Sequence, residues 1–388
     1  MTANTQVVVV GGGYAGVIAA NHLRTRDDVD ITLINPRPSF VERIRLHQLV
    51  TGSDDAVVGY ATVLGAGVRL VVDEVTAIDT AHRTVALASG DALGYDYLVY
   101  AVGSRTAAPT VPGAAEFVHT VGEIEHAERL RVAVGELGRG APLTVVGGGP
   151  TGIETAAELA EQGRAVTLVC GGGLGPYLSA PGRRSVARRL AALGVTVLHT
   201  AVAAVREDAV VLADGRELPS AVTVWTAGFA TPDLATRSGL RTDAMGRLLT
   251  DETLTSVDDP RIVAAGDAAA PSGRPLRMSC QAAIPLGAQA ANTVLSRIAG
   301  TEPAALRQAF VGQCVSLGRH GGTIQLARTD DTALPLYVGG RAAAAIKEGV
   351  CRGTVWQLAQ EARKPGSYFW LKGGGRQQRL SAATVPVP

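Results

Sequence analysis

The sequence predicts an α/β fold in which one strand–turn–helix–strand unit is built twice. Residues 6–10, QVVVV, form an apolar run that leads into GGGYAG at residues 11–16 and then into a helical pattern. A second strand follows at residues 31–34. The same order recurs over residues 143–169, where the glycine turn starts at Gly147. Two such units in one chain indicate two Rossmann-like domains.

Further strand-like segments follow each unit. YDYLVYAVGS (95–104) is typical of a buried strand that ends in a tight glycine turn, and AVTVWTAGF (221–229) has the same form. RIVAAGDAAA (261–270) predicts a strand, a turn at its Gly-Asp pair and then a helix. A helix interrupted by Pro285 comes next. Beyond Phe310, short strands and an Ala-rich helix predict a C-terminal α+β segment.

The composition restricts the class of protein. The chain has 388 residues, a hydrophobic content of 46% and a formal net charge of +1 with both signs mixed, which predicts more than one domain and no nucleic-acid partner. The four cysteines are far apart and form no CxxC or zinc pattern, so we expect reduced thiols, no metal site and a cytoplasmic protein. We expect neither a secretory signal nor a membrane-spanning helix.

The two glycine turns have the spacing of a pyrophosphate-binding loop. In GxGxxG the first glycine allows the tight turn, the second lets the backbone approach the pyrophosphate, and the third lets the helix pack on the strand. The helix N-terminus offers free N–H groups to the anion. Because each turn follows a strand and opens a helix, dinucleotide binding is favoured over two turns without a ligand. We call them the first cradle (Gly11, Gly13, Gly16) and the second cradle (Gly147, Gly149, Gly152).

Neither unit ends on the acidic residue that usually binds a ribose. The first unit ends at Asn35, whose amide can still donate and accept hydrogen bonds, and the second ends at Cys170-Gly171. A carboxylate there would repel a 2′-phosphate, so its absence leaves NADPH open beside NADH. Arg183 and Arg184 follow soon after, and they suit either contact with such a phosphate or a solvated helix start.

The motifs GGGYAG, YAVGS, GGGPTGIE, WTAGF and AAGDAAA occur in an order that resembles the FAD-dependent pyridine nucleotide oxidoreductases with two dinucleotide-binding domains. Within these, the chain is most similar to the type II NADH dehydrogenase branch, and the resemblance covers roughly residues 5–325. It implies an enzyme that transfers hydride from NADH or NADPH to FAD and passes electrons to a small acceptor, with a quinone favoured. It also implies a discontinuous FAD-binding domain (1–120 and 240–310), an inserted NAD(P)H-binding domain (121–239) and a C-terminal segment (311–388).

The resemblance assigns cofactor-binding roles to matching positions. The residues assigned to FAD are Gly11, Gly13, Tyr14, Ala15, Gly16, Asn35, Arg45, Ala101, Gly103, Gly266 and Asp267. Those assigned to the nicotinamide dinucleotide are Gly147, Gly149, Pro150, Thr151, Gly152, Ala227 and Gly228. Asp267 also suits an ordinary turn or helix cap, although the flanking strand favours the flavin role.

Three residues are candidates for catalysis. Glu154 follows the second cradle and, by resemblance, lies near the nicotinamide and flavin rings, although a glutamate in the first turn of a helix is also favoured by the helix dipole. Gln281 matches the first glutamine of the AQxAxQ quinone-site pattern of the branch, but Pro285 replaces the second glutamine. His47 lies where the family folds against the flavin, and it suits either proton donation or a structural hydrogen bond.

The cysteines and the C-terminal segment bear on how electrons leave the flavin. The chain has no CxxxxC pair, so we expect electrons to pass directly to the acceptor without a thiol relay. Aromatic and basic residues near the C-terminus suit either peripheral contact with the inner face of a membrane or an ordinary helix and strand that cover the flavin domain or a homodimer interface, and a soluble protein is favoured. They are Trp356, Tyr368, Phe369, Trp370, Arg363, Lys364, Lys372 and Arg376.

Two alternatives to a quinone reductase remain open at this point. In the first, the fold is the same and the acceptor is a ferredoxin- or rubredoxin-type carrier protein, oxygen or a natural product. In the second, the chain is a non-catalytic nucleotide sensor, for which the missing ribose-binding acids are the only support.

Overall fold

The computed structural model describes residues 4–138 and 140–384. Its helices are α1 (Tyr14–Leu23), α2 (Leu46–Thr51), α3 (Tyr60–Val63), α4 (Ala114–Phe117), α5 (Ile124–Glu136), α6 (Pro150–Glu161), α7 (Ala180–Ala192), α8 (Leu234–Arg237), α9 (Cys280–Ile298), α10 (Gly340–Arg363) and α11 (Arg376–Thr384). Short 3-10 helices cover Arg43–Arg45 and Gly266–Ala268.

The strands of the described residues are β1 (Thr5–Val10), β2 (Val29–Asn35), β3 (Ser39–Val41), β4 (Val57–Gly59), β5 (Val68–Val72), β6 (Val75–Asp79), β7 (Thr84–Leu87), β8 (Ala92–Gly94), β9 (Tyr97–Tyr100), β10 (Arg105–Thr106), β11 (Val118–Thr120), β12 (Pro142–Val146), β13 (Ala165–Val169), β14 (Thr196–Leu198), β15 (Val202–Val205), β16 (Ala209–Leu212), β17 (Glu217–Pro219), β18 (Val222–Trp225), β19 (Phe229–Ala230), β20 (Leu248–Thr250), β21 (Ile262–Ala264), β22 (Ala269–Pro271), β23 (Gly312–Ser316), β24 (Gly322–Ala327) and β25 (Ala333–Gly339).

The first large sheet is parallel and has the strand order β21-β9-β1-β2-β5. Its central strand β1 is apolar and buried on both faces, as parallel strands covered by helices usually are. Helices α1 and α9 pack closely against each other, and a Cβ at Gly287 of α9 would collide with the carbonyl oxygen of Ala15 in α1. The missing side chain at Gly287 therefore sets how near α9 approaches the helix that follows the first cradle.

The second large sheet repeats this plan. It is parallel with the order β11-β18-β12-β13-β14, and β12 pairs with β13 from Pro142↔Ala165 to Val146↔Val169. Helix α6 follows β12 and begins with Pro150 at its first position, where proline costs no hydrogen bond. The α/β class and the paired Rossmann-like cores predicted from the sequence are therefore confirmed.

The C-terminal segment adds an antiparallel sheet and a long helix. The sheet has the order β23-β24-β25, and α10 packs against it and against α1. The predicted domain boundaries stay a prediction. Residues 1–3, 139 and 385–388 of those predicted domains lie outside the described residues.

The helix predicted directly after Gly266-Asp267 is wrong. The segment after Gly266-Asp267 is a single 3-10 turn followed by β22, and the helix begins only at Cys280. Gly266 has φ 70°, which an α-helix does not allow, and Pro271 lacks a backbone N–H. Ser279 then caps α9, and its side chain accepts a hydrogen bond from the backbone N–H of Ala282.

Pro285 lies inside α9 without ending it. Proline cannot donate the hydrogen bond that would reach the carbonyl of Gln281 four residues earlier. The side-chain amide of Gln308 donates to that carbonyl instead, at 3.0 Å. The segment before β23 therefore satisfies the acceptor that Pro285 leaves free.

Candidate functional site

A cleft lies at the carboxyl ends of the strands of the first sheet. This edge is where open parallel sheets bind ligands. Nine of the residues predicted to bind FAD line the cleft: Gly11, Gly13, Tyr14, Ala15, Asn35, Ala101, Gly103, Gly266 and Asp267. The strand ends of β1, β2, β9 and β21 bring them together although they are widely separated in sequence.

The glycines of the first cradle differ in what a side chain would meet. Gly11 has φ 104°, and a Cβ there would collide with the carbonyl oxygen of Ala101. A Cβ at Gly16 would collide with the carbonyl oxygen of Gly11, so Gly16 holds α1 close to β1. A Cβ at Gly13 meets no described atom within 4 Å. The backbone at Gly13 is therefore open to a group as large as a pyrophosphate.

Asn35 and Tyr60 hold the middle of the first cradle. The side-chain oxygen of Asn35 accepts a hydrogen bond from the backbone N–H of Gly12 at 3.0 Å, and the Tyr60 hydroxyl donates to the carbonyl of Gly12 at 2.8 Å. Asn35 also donates to the carbonyl of Arg37 at 2.9 Å. The amide thus shapes the loop and lines the cleft at the same time.

Asp267 closes the other side of the cleft. Its carboxylate accepts a hydrogen bond from the Ser104 hydroxyl at 2.7 Å, and Arg43 donates to the same hydroxyl oxygen at 3.0 Å. Ser104 and Arg43 also line the cleft, and neither was predicted from the sequence. The position of Ser104 directly after the YAVG turn was a usable signal, whereas nothing local indicated that Arg43 reaches this edge.

The second cradle repeats the geometry of the first. Gly147 has φ 127°, a Cβ at Gly152 would collide with the carbonyl oxygen of Gly147, and a Cβ at Gly149 meets no described atom within 4 Å. Ala227 and Gly228 follow β18, which is the neighbour of β12, so they lie beside this cradle. Pro150 and Thr151 form the start of α6. The residues of both cradles therefore fit a bound pyrophosphate each.

A buried polar cluster lies behind the second cradle, and Glu154 is at its centre. The Glu154 carboxylate accepts a hydrogen bond from the backbone N–H of Ser316 at 2.9 Å and pairs with the Lys347 ammonium at 3.2 Å. His47 Nδ1 lies 3.8 Å from the second carboxylate oxygen, and His47 Nε2 lies 3.3 Å from the Ser316 hydroxyl. Helices α2, α6 and α10 and strand β23 each supply one member.

The cluster sets the charge states of its members. Burial alone would raise the pKa of Glu154, but the charge of Lys347 and the hydrogen bond from the Ser316 backbone N–H outweigh it and lower the pKa. Burial lowers the pKa of His47 to about 4, so this imidazole is neutral at pH 7. Burial also opposes the charge of Lys347, but the Glu154 carboxylate raises the pKa of the ammonium. The buried pair is therefore ionised at neutral pH.

Lys347 was not predicted from the sequence. It directly follows the run AAAAI (342–346), and a lysine on a helix usually faces solvent. In the structure it points to Glu154 from the buried side of α10.

Arg45 is not among the residues that line the cleft. Its buried guanidinium pairs with the carboxylates of Glu42 at 3.3 Å, Asp54 at 3.3 Å and Glu348 at 3.0 Å. It also donates to the side chain of Gln48 at 2.8 Å. Its donors face carboxylates on α10 and in the segment after β3, and its contact with the flavin stays a prediction.

Gln281 lies at the start of α9. Its side-chain oxygen is buried and has no hydrogen-bond partner among the described residues. The thiols of Cys280, Cys314 and Cys351 all lie near the Lys347 ammonium, whose charge opposes the rise in pKa that burial causes at each of them. The fold thus gathers three cysteines that are far apart in sequence. All four cysteines of the described chain are free thiols, and burial raises the pKa of Cys351 to about 11.

The C-terminal segment exposes part of its aromatic surface. Phe369 is 77% exposed and Trp356 on α10 is 60% exposed, whereas Tyr368 and Trp370 stack on each other at 5.7 Å. The buried Glu361 carboxylate holds this segment, because it accepts hydrogen bonds from the backbone N–H groups of residues 366 and 368. Within the described ranges, no helix has the length and apolar character needed to cross a membrane.

Comparison with known proteins gives three consistent matches. A family model for the pyridine nucleotide-disulphide oxidoreductases matches residues 5–287. A NADH dehydrogenase-like protein of Mycobacterium tuberculosis is 34% identical over 351 residues, which cover 82% of this chain and 86% of the relative. The type II NADH:quinone oxidoreductase Ndh of the same organism is 29% identical over 348 residues, covering 77% of this chain and 74% of the relative.

A solved structure has the same fold. The sulfide:quinone oxidoreductase of Aquifex aeolicus superposes with a TM-score of 0.80 at 22% identity, and the match covers 93% of each chain. At this identity the likeness concerns the fold alone.

Proposed function

The chain belongs to the pyridine nucleotide-disulphide oxidoreductase family and is an FAD-dependent NAD(P)H oxidoreductase, and from that premise we propose that its electron acceptor is a small quinone. The observation that carries this proposal is the buried Glu154–Lys347 pair, 3.2 Å apart. A quinone takes up protons as well as electrons, and a closed site needs internal groups that supply them. The type II NADH:quinone oxidoreductase among the relatives supports the same acceptor.

We assign FAD to the first cradle and the nicotinamide dinucleotide to the second. The open backbone at Gly13 and at Gly149 would face one pyrophosphate each. Asp267 and Asn35 would contact the sugar portions of FAD from opposite sides of the cleft. Flavin chemistry supplies the conversion of a hydride into electrons for the acceptor. The protein contributes orientation, since it holds the donor dinucleotide and the cleft in one rigid frame.

We propose that the protein accepts both NADH and NADPH. The end of β13 carries Cys170-Gly171 where a carboxylate would repel a 2′-phosphate. The guanidinium of Arg183 donates to the carbonyl of Leu178 at 3.2 Å, so part of its donor set is already used within the fold. We therefore propose that NADPH is accepted without a dedicated phosphate clamp.

Glu154, Lys347 and His47 are proposed to handle protons at the acceptor. The Lys347 ammonium holds a proton at Nζ, and the Glu154 carboxylate receives one from solvent to restore it. His47 is neutral and positions the pair through Ser316. Gln281 is proposed to bind the acceptor, because its buried side-chain oxygen is unpartnered within the described residues.

The exposed surface of the C-terminal segment is proposed to contact the inner face of a membrane, where lipid-soluble quinones reside. Phe369, Leu371 and Trp356 supply exposed apolar surface, and Lys372 lies beside Trp370. The second proposed role of this surface is a homodimer interface.

A carrier protein is the second candidate acceptor. Pro285 stands where the branch has the second glutamine of its quinone pattern, which removes one polar group from the start of α9. Electrons would then leave without proton uptake inside the protein.

The test is an anaerobic titration of the flavin-loaded protein. We expect NADH to bleach the flavin absorbance and a water-soluble short-chain ubiquinone to restore it rapidly. Flavin that bleaches but is reoxidised only by a ferredoxin- or rubredoxin-type carrier would favour the second candidate. Failure of NADH and NADPH to bleach the flavin would refute the donor assignment of the second cradle.

A further inference from the structure

Helix α6 carries three carboxylates on one face. Glu154, Glu158 and Glu161 are four and three residues apart, so they lie one above the other along the helix at about 6 Å and 4.5 Å of axial rise. Glu154 is 6% exposed and Glu158 is 2% exposed, whereas Glu161 reaches the surface beside the exposed His320 at 3.3 Å. We call these three residues the carboxylate row.

Glu158 is the unusual member of the carboxylate row. Its Oε1 has no hydrogen-bond partner among the described residues, and the nearest cation, Arg319, lies 3.7 Å away. Its Oε2 accepts only long hydrogen bonds of 3.3 Å, from the hydroxyls of Thr51 and Ser53. A structural carboxylate with so little exposure normally has its charge paired and all its oxygens hydrogen-bonded.

Each of the other charged groups around Glu158 has a partner of its own. Arg319, from the segment after β23, also pairs with Glu348 at 2.9 Å, so its charge is shared. Glu161 on the same helix pairs with Arg189 at 2.9 Å. On the α2 side, His47 faces Glu154 rather than Glu158. Within the described residues, no cation therefore pairs with Glu158 alone.

We propose that Glu158 carries protons from the surface at Glu161 and His320 to the buried Glu154–Lys347 pair. This inference rests on the proposed quinone reduction. NADH supplies two electrons and one proton, whereas reduction of a quinone to a quinol consumes two electrons and two protons. One proton per turnover therefore comes from solvent, and the carboxylate row connects solvent to the pair behind the second cradle.

The protonation of Glu158 suits this role. Burial raises its pKa to about 7, and Arg319 and the two hydroxyls oppose the rise only in part. A group with a pKa near the working pH can both receive and release a proton. Glu154 is itself 6% exposed, and one of its carboxylate oxygens is occupied by the Ser316 backbone N–H and by Lys347.

The experiment uses the flavin-loaded variant E158Q, which keeps the shape of the side chain but cannot carry an acid proton. Turnover is measured with NADH and a short-chain ubiquinone over about three pH units around 7, and with ferricyanide, an electron acceptor that takes up no proton. We expect quinone turnover to fall roughly 10- to 100-fold and to lose its dependence on a group that titrates near 7. Ferricyanide turnover should stay at the wild-type rate.

Two further variants separate proton transfer from structure. E136Q changes an exposed glutamate at the end of α5 and should match wild type with both acceptors. E158D keeps an acid at the position and should restore the pH-dependent profile at a reduced rate. If E158Q binds no FAD, the quinone turnover of E158D decides, because a wild-type rate with the shorter acid would contradict a distance-dependent relay.

The outcomes distinguish this inference from the proposed function. Wild-type protein that NADH reduces but that turns over no quinone refutes the quinone proposal and the proton path with it. Wild-type quinone turnover and pH profile in E158Q overturn the proton path alone. An equal loss with quinone and ferricyanide also overturns it, because it indicates a structural role.

Discussion

Replacing Lys347 by methionine removes one charge from the buried pair while keeping an unbranched side chain of similar length. The ammonium lies 3.2 Å from the Glu154 carboxylate, and at an effective dielectric constant of about 20 this separation corresponds to roughly 5 kcal/mol of attraction. Breaking a buried ion pair on one side usually costs about 3–5 kcal/mol. We expect K347M to lower the free energy of unfolding by that amount at pH 7.

The same substitution should reverse the pH dependence that Glu154 contributes. In the wild type its pKa is lowered, so its stabilisation is present above the unfolded value of about 4.3 and is lost as pH falls through the folded pKa. Without Lys347, burial dominates and raises the pKa. Glu154 then destabilises K347M increasingly as pH rises above about 4.3, and the destabilisation levels off above the new folded pKa.

The assay is thermal unfolding followed by flavin fluorescence and circular dichroism at pH 5 and pH 8. At about 2 °C per kcal/mol for a large domain, we expect a midpoint about 6–10 °C lower for K347M at pH 8, with a smaller difference at pH 5. The double variant E154Q/K347M replaces the pair by two neutral groups and should recover at least half of the loss. Additive losses in the double variant would refute the coupling, and so would a K347M midpoint equal to that of wild type.

Three further predictions concern other parts of the molecule. G13A places a methyl group in open space and should fold with a reduced FAD content, whereas G16A places it against backbone and should lower the yield of folded protein; absorbance ratios and thermal midpoints distinguish the two. E361A removes the carboxylate that accepts hydrogen bonds from two backbone N–H groups. We therefore expect a thermal unfolding midpoint that is lower by about 4 °C or more and faster tryptic cleavage near the end of α10, at unchanged FAD content. C280A and C314A should each keep NADH-dependent turnover close to wild type, because electrons are expected to leave the flavin without a thiol; a loss of quinone turnover with intact flavin bleaching would contradict this.

Local rules explain what the sequence predicted well. Gly11 and Gly147 have positive φ angles, and Gly16 and Gly152 each lie against the carbonyl of the first glycine of the same cradle, five residues earlier. The spacing of these glycines therefore indicates the turn. The strands that surround them are short apolar runs, and their carboxyl ends necessarily meet at one edge of a parallel sheet. These two rules together account for the nine residues that were predicted to bind FAD and that line the cleft.

Long-range pairings explain what the sequence could not predict. Lys347 and Glu154 belong to distant helices, and nothing within either helix indicates the partner. Arg45 is a cationic side chain of the kind that binds cofactors, but its guanidinium pairs with the carboxylate of Glu348 on α10. The same holds for Pro285, because its effect on α9 depends on Gln308, which belongs to another segment. In each case tertiary packing decides what a local pattern leaves open.

The position of β21 has a consequence for how the protein is made. The first sheet is incomplete until Ile262–Ala264 pairs with Tyr97–Tyr100, and α9 then covers α1. The second sheet uses only strands between Val118 and Trp225, so all its partners leave the ribosome earlier. At about 5–20 residues per second, the 162 residues from Tyr100 to Ile262 take roughly 8–30 s to synthesise. During that time β9 presents an unpaired edge, and we expect the second sheet, whose strands are all synthesised by then, to be completed before the first.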